Sequence, residues 1–383
     1  MSIAAASFST ILSQSAFSPF LPLISESLDT SVALLGQAPG ISMLVAGLLG
    51  LVVGPLADRY GQRRALLLGL LALAASAVGV ALAQSYLVFL VVMLISAVGR
   101  ATILPVSMVI GGTRFVGDAQ RRALSWMSTG LTAATILGVP FLTTIGEYVT
   151  WRGAFLTLAV IALGAAALVW YGLGPDLPVA AGRFHTRDIL TAYTPIIRNR
   201  PVMLFLLASL VGNIGQWNVY TYAGAYWTDV HQLSLHEIGL TALVQGFGGL
   251  AGSWLMSTPV GRISPRRLLI VSRFLGGLLC AAPFVLPMPV VTAVACFTLA
   301  YVVGGMGAIA STLQLTRDVP SARATALTLN GAAWSIGIAL GAASGGLALA
   351  LGGYGVLGIM AFSTFAAASA LLLISDRVAP APR

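Results

Sequence analysis

The sequence has no lysine and few charged residues of any kind. Only 8% of its 383 residues are charged, whereas 58% are hydrophobic, and the mean hydropathy is +0.94. A soluble chain of this length would need far more polar surface. Apolar runs of about 20 residues recur along the chain, and a helix of that length crosses a hydrocarbon core about 30 Å thick. The composition therefore predicts an integral membrane protein.

Several chemical groups that catalysis or metal binding would need are also missing. The two cysteines, Cys280 and Cys296, fall in apolar runs, which does not indicate a disulfide framework. The three histidines lie in polar segments and form no ligand cluster, so we expect no metal and no other cofactor. The apolar runs contain no central Asp or Glu and no Ser/His pair. An intramembrane enzyme is therefore not predicted.

Twelve apolar segments are long enough to span a membrane. They cover residues 3–25, 34–57, 64–83, 86–112, 122–146, 152–173, 201–227, 237–258, 266–287, 289–312, 323–349 and 354–375. The longest polar interruption, 174–200, separates six spans from six. We therefore predict an all-α membrane protein with twelve transmembrane helices in two six-helix bundles, 1–173 and 201–383, joined by a cytoplasmic linker.

The arginines predict the topology, because positively charged loops stay on the cytoplasmic side. With both termini inside, 18 of the 20 arginines, Arg273 among them, count as cytoplasmic, whereas Arg152 lies outside and Arg100 within the fourth span. The net charge of +9 then reflects topology and contact with lipid headgroups, not a nucleic-acid surface. We expect a monomeric, multi-pass protein of the cell membrane, specifically a bacterial inner membrane.

Two short stretches recur half a chain apart. RALSWMSTG at 122–130 is similar to RATALTLNG at 323–331, and GPLADRYG at 54–61 aligns with TPVGRISP at 258–265. Six-helix halves related by an axis along the membrane normal are a transporter architecture, with the substrate site near the bilayer midplane. The repeat therefore predicts two pseudo-symmetric bundles.

The stretch GPLADRYGQRR at 54–64 resembles the motif between the second and third helices of the major facilitator superfamily. The matching residues are Gly54, Leu56, Asp58, Arg59, Gly61, Arg63 and Arg64. Residues 121–155 and 323–346 resemble the fifth and eleventh helices of sugar-efflux and drug-efflux members. The resemblance covers essentially the whole chain and implies secondary transport of a small molecule by alternating access.

The resemblance also implies a conformational latch in this motif, with Asp58 facing the positive N-terminal end of the eleventh helix. We predict that the latch comprises Gly54, Asp58, Arg59, Gly61, Arg63 and Arg64. The arginines can bind helix-end carbonyls, Asp58, Asp118 or lipid phosphate. Arg262 occupies the place of Asp58 in the second half, so the latch should be asymmetric. The simpler alternative is that topology alone gathers arginine in this loop.

The fifth span contains Gly130 and, further along, Gly138 and Pro140. Proline removes one backbone hydrogen bond and kinks a helix, and glycine permits close helix packing. We predict a hinge at these three residues, of the kind that the resemblance associates with exporters. Ordinary helix packing is the alternative.

Polar and aromatic side chains share one face of the seventh span and suit a cavity that binds a small molecule. The predicted cavity residues are Gln14, Arg100, Asn213, Gln216, Trp217, Tyr220, Gln245, Asn330 and Trp334. Hydrogen bonding between helices is the alternative role for the amides.

Two charged residues bear on coupling. Many members carry an arginine early in the fourth helix, but this chain has Met93 and Leu94 there, and Arg100 follows six or seven residues later. An arginine inside a span faces a cavity or a partner, so Arg100 is either a substrate contact or a structural residue. Glu26, at the outer end of the first span, is the candidate proton site, with a solvated loop charge as its alternative.

These observations predict a secondary transporter that exports a small organic solute by proton antiport. One alternative is uptake or exchange of a small organic anion at Arg100. The other is a membrane sensor that transports nothing.

Overall fold

The computed structural model describes residues 1–176, 196, 198–319 and 323–378, without the side chains of residues 51, 54, 55, 58, 323–325 and 376–378. Most of these described residues are helical, and none of them is in a β-strand. The first nine helices are α1 Ser2–Ser15, α2 Phe17–Ser27, α3 Val32–Leu35, α4 Gln37–Tyr60, α5 Gln62–Leu82, α6 Tyr86–Thr113, α7 Asp118–Ala133, α8 Val139–Tyr148 and α9 Trp151–Gly172. The others are α10 Arg200–His231, α11 Leu235–Leu255, α12 Pro265–Val285, α13 Val290–Asp318 and α14 Arg323–Val378.

Ten helical segments of the described chain are long and apolar enough to cross a membrane. The last of them contains two non-helical residues, Gly352 and Gly353, which divide α14 into two spans. The consecutive helices α1 and α2 supply one more span, although each alone is too short. The all-helical, twelve-span fold predicted from hydropathy is therefore confirmed.

The first span is divided into two consecutive helices, because prolines remove hydrogen-bond donors from it. Pro19 and Pro22 lie in α2 and lack the backbone N–H that would bond to the preceding turn. The helix is interrupted at Ala16, whose N–H still bonds to the carbonyl of Leu12. The predicted span at 3–25 is thus present, but as two helices in sequence.

Side-chain caps fix where several helices begin. At the start of α11, Ser234 and Glu237 form a reciprocal capping box, with N···O distances of 2.8 and 3.3 Å. Thr150 caps α9 by accepting a hydrogen bond from the backbone N–H of Gly153 at 3.0 Å. Pro265 occupies the first turn of α12, where its missing N–H leaves no bond unmade.

Contacts divide the chain into two compact units. The first unit contains Met1–Gly182 and Ala223–Leu243, and the second contains Arg183–Tyr222 and Val244–Arg383. This division assigns the end of α10 and the start of α11 to the unit that holds the first six spans. The predicted boundaries after 173 and 200 stay a prediction, since the linker lies mostly outside the described residues.

Each unit has an apolar core and leaves apolar side chains exposed on other helix faces. In the first unit, Leu70 and Ile103 pack in a fully buried cluster shared by α5, α6 and α9. In the second, Leu269 and Ala310 belong to a cluster that joins α10, α12, α13 and α14. Large side chains such as Val160 remain exposed, as expected where helices face lipid.

Candidate functional site

The second unit encloses a cavity of about 300 Å³. Its walls come from α10, α12, α13 and both spans of α14, so four helices contribute side chains to one space. Polar and aromatic lining residues are Ser209, Asn213, Gln216, Tyr220, Ser272, Arg273, Ser311, Thr312, Asn330, Trp334 and Phe365. Small residues of α13, including Gly304, Gly307 and Ala308, complete the opposite wall.

Five of the predicted cavity residues lie together around this space: Asn213, Gln216, Tyr220, Asn330 and Trp334. The first three follow one face of α10, as the helical period requires. The other two come from α14, and Asn330 accepts a hydrogen bond from Ser209 of α10 at 2.7 Å. The structure thus brings these five residues together, and their role in substrate binding stays a prediction.

Trp217 stands behind the cavity wall. Its ring packs edge-on against Tyr220 and Trp334, with centroid distances of 6.1 Å in both cases. Tyr220 in turn stacks on Tyr301 of α13 at 4.9 Å and an interplanar angle of 14°. These ring contacts hold the orientation of the two aromatic side chains that line the cavity.

The remaining predicted cavity residues lie elsewhere. Gln14 and Arg100 belong to the first unit, on α1 and α6. Gln245 is buried in α11 and does not line the cavity of the second unit. Arg100 lies midway along α6, is 7% exposed, and donates a long hydrogen bond of 3.5 Å to the backbone carbonyl of Ser13. A carbonyl partner of this kind is one that a structural arginine would have.

Arg273 is the charged residue of the cavity lining, and sequence reasoning missed it, as it missed Ser272, Ser311 and Thr312. The topology count places it on the cytoplasmic side because it follows Arg266 and Arg267 closely. In the structure it lies about 12 Å from the start of α12 and lines the cavity. The available signal is that Arg273 shares a helix face with Gly276 and Cys280, so a charge interrupts an otherwise small and apolar face.

At the GPLADRYGQRR motif, the described partner of the arginines is Asp176, which follows α9. Its carboxylate accepts a hydrogen bond from the backbone N–H of Arg63 at 2.6 Å and one from that of Arg64 at 3.4 Å. It also forms an ion pair with Arg114 at 2.9 Å. Asp176 therefore caps the N-terminus of α5, where a negative charge is favourable. Nothing in its polar sequence context points to this role.

The side chains of Arg63 and Arg59 have aromatic neighbours. The guanidinium of Arg63, on α5, lies 4.6 Å from the ring centroid of Trp170 on α9 and donates to the carbonyl of the same residue. Arg59 is exposed, with its Cζ 5.6 Å from the Tyr60 ring. Asp118, considered above as a partner for the motif, instead pairs with Arg121 one turn along α7. Sequence proximity explains that pairing, since side chains three residues apart meet on a helix.

The structure does not describe the side chains of Pro55 and Asp58, nor residues 320–322, which precede α14. The predicted contact between Asp58 and the eleventh span, at the start of α14, therefore lies outside the described residues. Asp58 itself is in the last turns of α4, at the place in the chain that the motif requires. The latch accordingly remains a prediction.

The predicted hinge coincides with a change in helix type. A π-helical turn, Ala134–Gly138, separates α7 from α8 immediately before Pro140. The N–H of Val139 bonds to the carbonyl of Ala134, which is five residues earlier. Proline cannot donate to the preceding turn, and π turns are frequent at functional sites. Its function as a hinge stays a prediction.

Gly130 and Gly138 permit α1 to pack closely on this span. A Cβ on Gly130 would lie 3.0 Å from the carbonyl carbon of Ala4, and one on Gly138 would lie 2.7 Å from the side chain of Leu12. Packing is therefore a sufficient reason for both glycines, and a hinge would use the same contact surface.

Within the first unit, the segment 223–243 is attached to α2 and α8 by polar contacts. The Ser18 hydroxyl accepts a hydrogen bond from the N–H of Gly224 at 3.1 Å. The carboxylate of Glu147 accepts one from the N–H of Leu235 at 2.9 Å and so caps α11. Glu26, the candidate proton site, is exposed in the last turn of α2.

Comparison with known proteins identifies relatives along most of the chain. A sequence profile described as Major Facilitator Superfamily matches residues 3–342. A chloramphenicol resistance protein of Streptomyces lividans is 32% identical over 326 residues, which are 81% of this chain and 80% of that protein. The transcription regulatory protein OpdE of Pseudomonas aeruginosa is 30% identical over 273 residues, 68% of this chain and 65% of its own length.

A solved structure has the same fold. The crystal structure of a D-xylose-proton symporter matches with a TM-score of 0.81, covering 97% of this chain and 95% of that one. Sequence identity in this match is 14%, so the likeness concerns the fold alone.

Proposed function

Because the chain belongs to the Major Facilitator Superfamily, we propose that it exports a small organic solute in exchange for protons, by alternating access. Membership in the family makes the chain a multi-pass membrane transporter and not an enzyme, and it confirms the resemblance found at residues 54–64. Beyond family membership, we propose that transport is outward, that the solute is a small organic molecule and that the coupling ion is the proton.

The observation that carries the proposal is the cavity of the second unit. A volume of about 300 Å³, with amide and aromatic groups on its walls, suits a small organic molecule. Asn213, Gln216 and Tyr220, which the helical period puts on one face of the seventh span, line this cavity, and their common position supports the proposal.

Export is supported by sequence relationships. The Streptomyces lividans relative, at 32% identity, is named for chloramphenicol resistance, which is consistent with removal of a compound from the cell. The Gly138-Val139-Pro140 sequence of the fifth span resembles that of efflux members, and a π turn precedes the proline.

Asp58→Asn should slow turnover about 2- to 5-fold without loss of the folded protein. The expected size follows from the contribution of about 0.3–1 kcal/mol that a carboxylate makes at a helix N-terminus. The measurement is the initial transport rate in proteoliposomes at equal protein content. Asp118→Asn is the matched control, since its exposed carboxylate pairs with Arg121 in its own helix. Equal transport rates for Asp58→Asn and wild type would contradict the predicted latch.

Two alternatives make different predictions. Anion uptake or exchange at Arg100 is favoured by one observation: among the described residues, the buried Nε of Arg100 has no hydrogen-bond partner. Full transport by Arg100→Gln would exclude it. A sensor that transports nothing is suggested by the name of the Pseudomonas relative, and it predicts no flux of any compound.

The deciding experiment is flux through the purified protein in proteoliposomes with an imposed pH gradient. The panel contains sugars, chloramphenicol and small organic acids. We expect that movement of at least one compound accelerates with the gradient and stops on adding a protonophore, and that Glu26→Gln weakens this coupling. Flux at a rate independent of the pH gradient would contradict proton antiport. Absence of flux for every compound would favour a sensor that transports nothing.

A further inference from the structure

The cavity of the second unit contains a positive charge, that of Arg273. The guanidinium lies beside Gly212 of α10, where a Cβ would be only 3.0 Å from its Cζ. A side chain at residue 212 would therefore displace it. The absence of a side chain there leaves room for a planar cation at the cavity wall, and arginine keeps its charge even in a buried setting.

No described carboxylate neutralises this charge. The ion pairs among the described residues join Arg114 to Asp176 and Arg121 to Asp118, all in the first unit. In the second unit, the acid whose side chain the structure describes is Asp318, at the end of α13. It accepts hydrogen bonds from Gln314 at 2.8 and 3.0 Å. Arg273 thus faces the cavity without a counter-charge from the described protein.

A charge inside a membrane protein is costly unless a partner or water compensates it. We infer that the compensating group is the transported solute, and that this solute is an organic anion whose carboxylate binds Arg273. The inference rests on the proposed function, because it names the class of molecule that the transporter binds. A carboxylate matches the guanidinium because both can form two parallel hydrogen bonds.

The other walls of the cavity narrow the class further. Tyr220 and Trp334 present aromatic rings, and the stacking of Tyr220 on Tyr301 at 4.9 Å holds one of them in place. Asn213 and Asn330 offer amide groups for polar substituents. A volume near 300 Å³ is at the small end of ligand sites. A molecule with one carboxylate and one planar ring, that is, an aromatic monocarboxylate, fits this cavity volume and these lining groups.

The test is isothermal titration calorimetry of the full-length protein in detergent with three probes of similar shape. These are 4-hydroxybenzoate, its neutral amide 4-hydroxybenzamide, and the cation 4-hydroxybenzylamine. We expect the carboxylate to bind at least about tenfold more tightly than the amide, since a hydrogen bond to a charged group contributes about 1.5–3 kcal/mol. This comparison needs only the wild-type protein.

Variants then assign the preference to one side chain. Arg273→Gln should lose at least about tenfold in affinity for the carboxylate and change the affinity for the neutral amide much less, so that the preference for the carboxylate disappears. Arg273→Lys should fall between, because lysine keeps the charge but not the paired geometry. Arg267→Gln is the matched control, since Arg267 is exposed on the same helix, and it should bind like wild type.

Three results would overturn the inference: equal affinity for the three probes, preference for the amide or the amine, or no binding of 4-hydroxybenzoate at millimolar concentration. Failure here is distinguishable from failure of the proposed function. Flux of neutral solutes with no preference for anions would support export and contradict an anionic substrate. Binding of the carboxylate without flux of any compound would support the anion site and contradict export.

Discussion

Replacing Gly61 with alanine should lower the free energy of unfolding by about 2–6 kcal/mol. Gly61 joins α4 to α5 with φ of +104° and ψ of 134°, a backbone conformation that costs residues other than glycine about 1–3 kcal/mol. A Cβ at this position would also overlap the carboxylate of Asp176. That carboxylate can move aside only by giving up its bonds to Arg63 and Arg114, and overpacking of this kind costs about 1–3 kcal/mol. The measurement is an SDS titration in mixed micelles.

Two controls separate backbone strain from steric overlap. Gly117 also has a positive φ, +62°, but a Cβ there would have no atom within 4 Å, so Gly117→Ala should cost only the backbone strain of about 1–3 kcal/mol. In a background that carries Asp176→Ala, the additional cost of Gly61→Ala should fall by about 1–3 kcal/mol. If Gly61→Ala costs the same in both backgrounds, Asp176 is not the obstacle.

Replacing Gly224 with leucine should reduce transport more than tenfold while the protein remains folded. The N–H of Gly224 contacts the Ser18 hydroxyl at 3.1 Å, and a Cβ would lie 2.8 Å from the Cα of Pro19. The segment 223–243 can then no longer pack on α2. Because α10 runs from the segment 223–243 of the first unit into the second unit, we expect displacement of this segment to disturb the conformational steps of alternating access.

Two readouts accompany the flux assay. Spin labels at Thr30 and Gln232, in a background without Cys280 and Cys296, should report a longer mean distance in Gly224→Leu than in the parent protein. Gly355→Leu is the control, because no atom lies within 4 Å of a Cβ there, and it should transport within about twofold of wild type. Wild-type flux by Gly224→Leu, or an unchanged distance, would contradict the role given to this contact.

Local patterns predicted the helices and their faces. Hydropathy and the helical period depend on neighbours within a few turns of a helix. The sequence therefore predicted the spans, and also the α10 face that contains Asn213, Gln216 and Tyr220. The break in the first span and the π turn before Pro140 also lie near prolines that are visible in the sequence. The type of turn at Pro140 could not be predicted, because a proline is compatible with both a π turn and a simple kink.

Long-range partners could not be predicted in this way. Asp176 is 113 residues from Arg63, and no periodic pattern connects a polar linker to the start of α5. The motif suggested helix-end carbonyls, Asp58, Asp118 or lipid phosphate as partners for its arginines, whereas the described capping acid, Asp176, follows α9. Pairing of this kind depends on how α5, α6 and α9 pack, and the sequence alone did not single out Asp176 among the chain's 11 acids.

Hydropathy, one motif and the helical period were enough to predict that this chain spans a membrane many times, resembles facilitator-type transporters, and carries an amide and aromatic face on its seventh span. The packing of the helices was needed to find which residues share the cavity with that face. From the sequence, Arg273 was counted among the cytoplasmic arginines. In the structure it lines the cavity, because Gly212 on another helix leaves space for its guanidinium. Helix formation is local, whereas the environment of a charge depends on every helix packed around it.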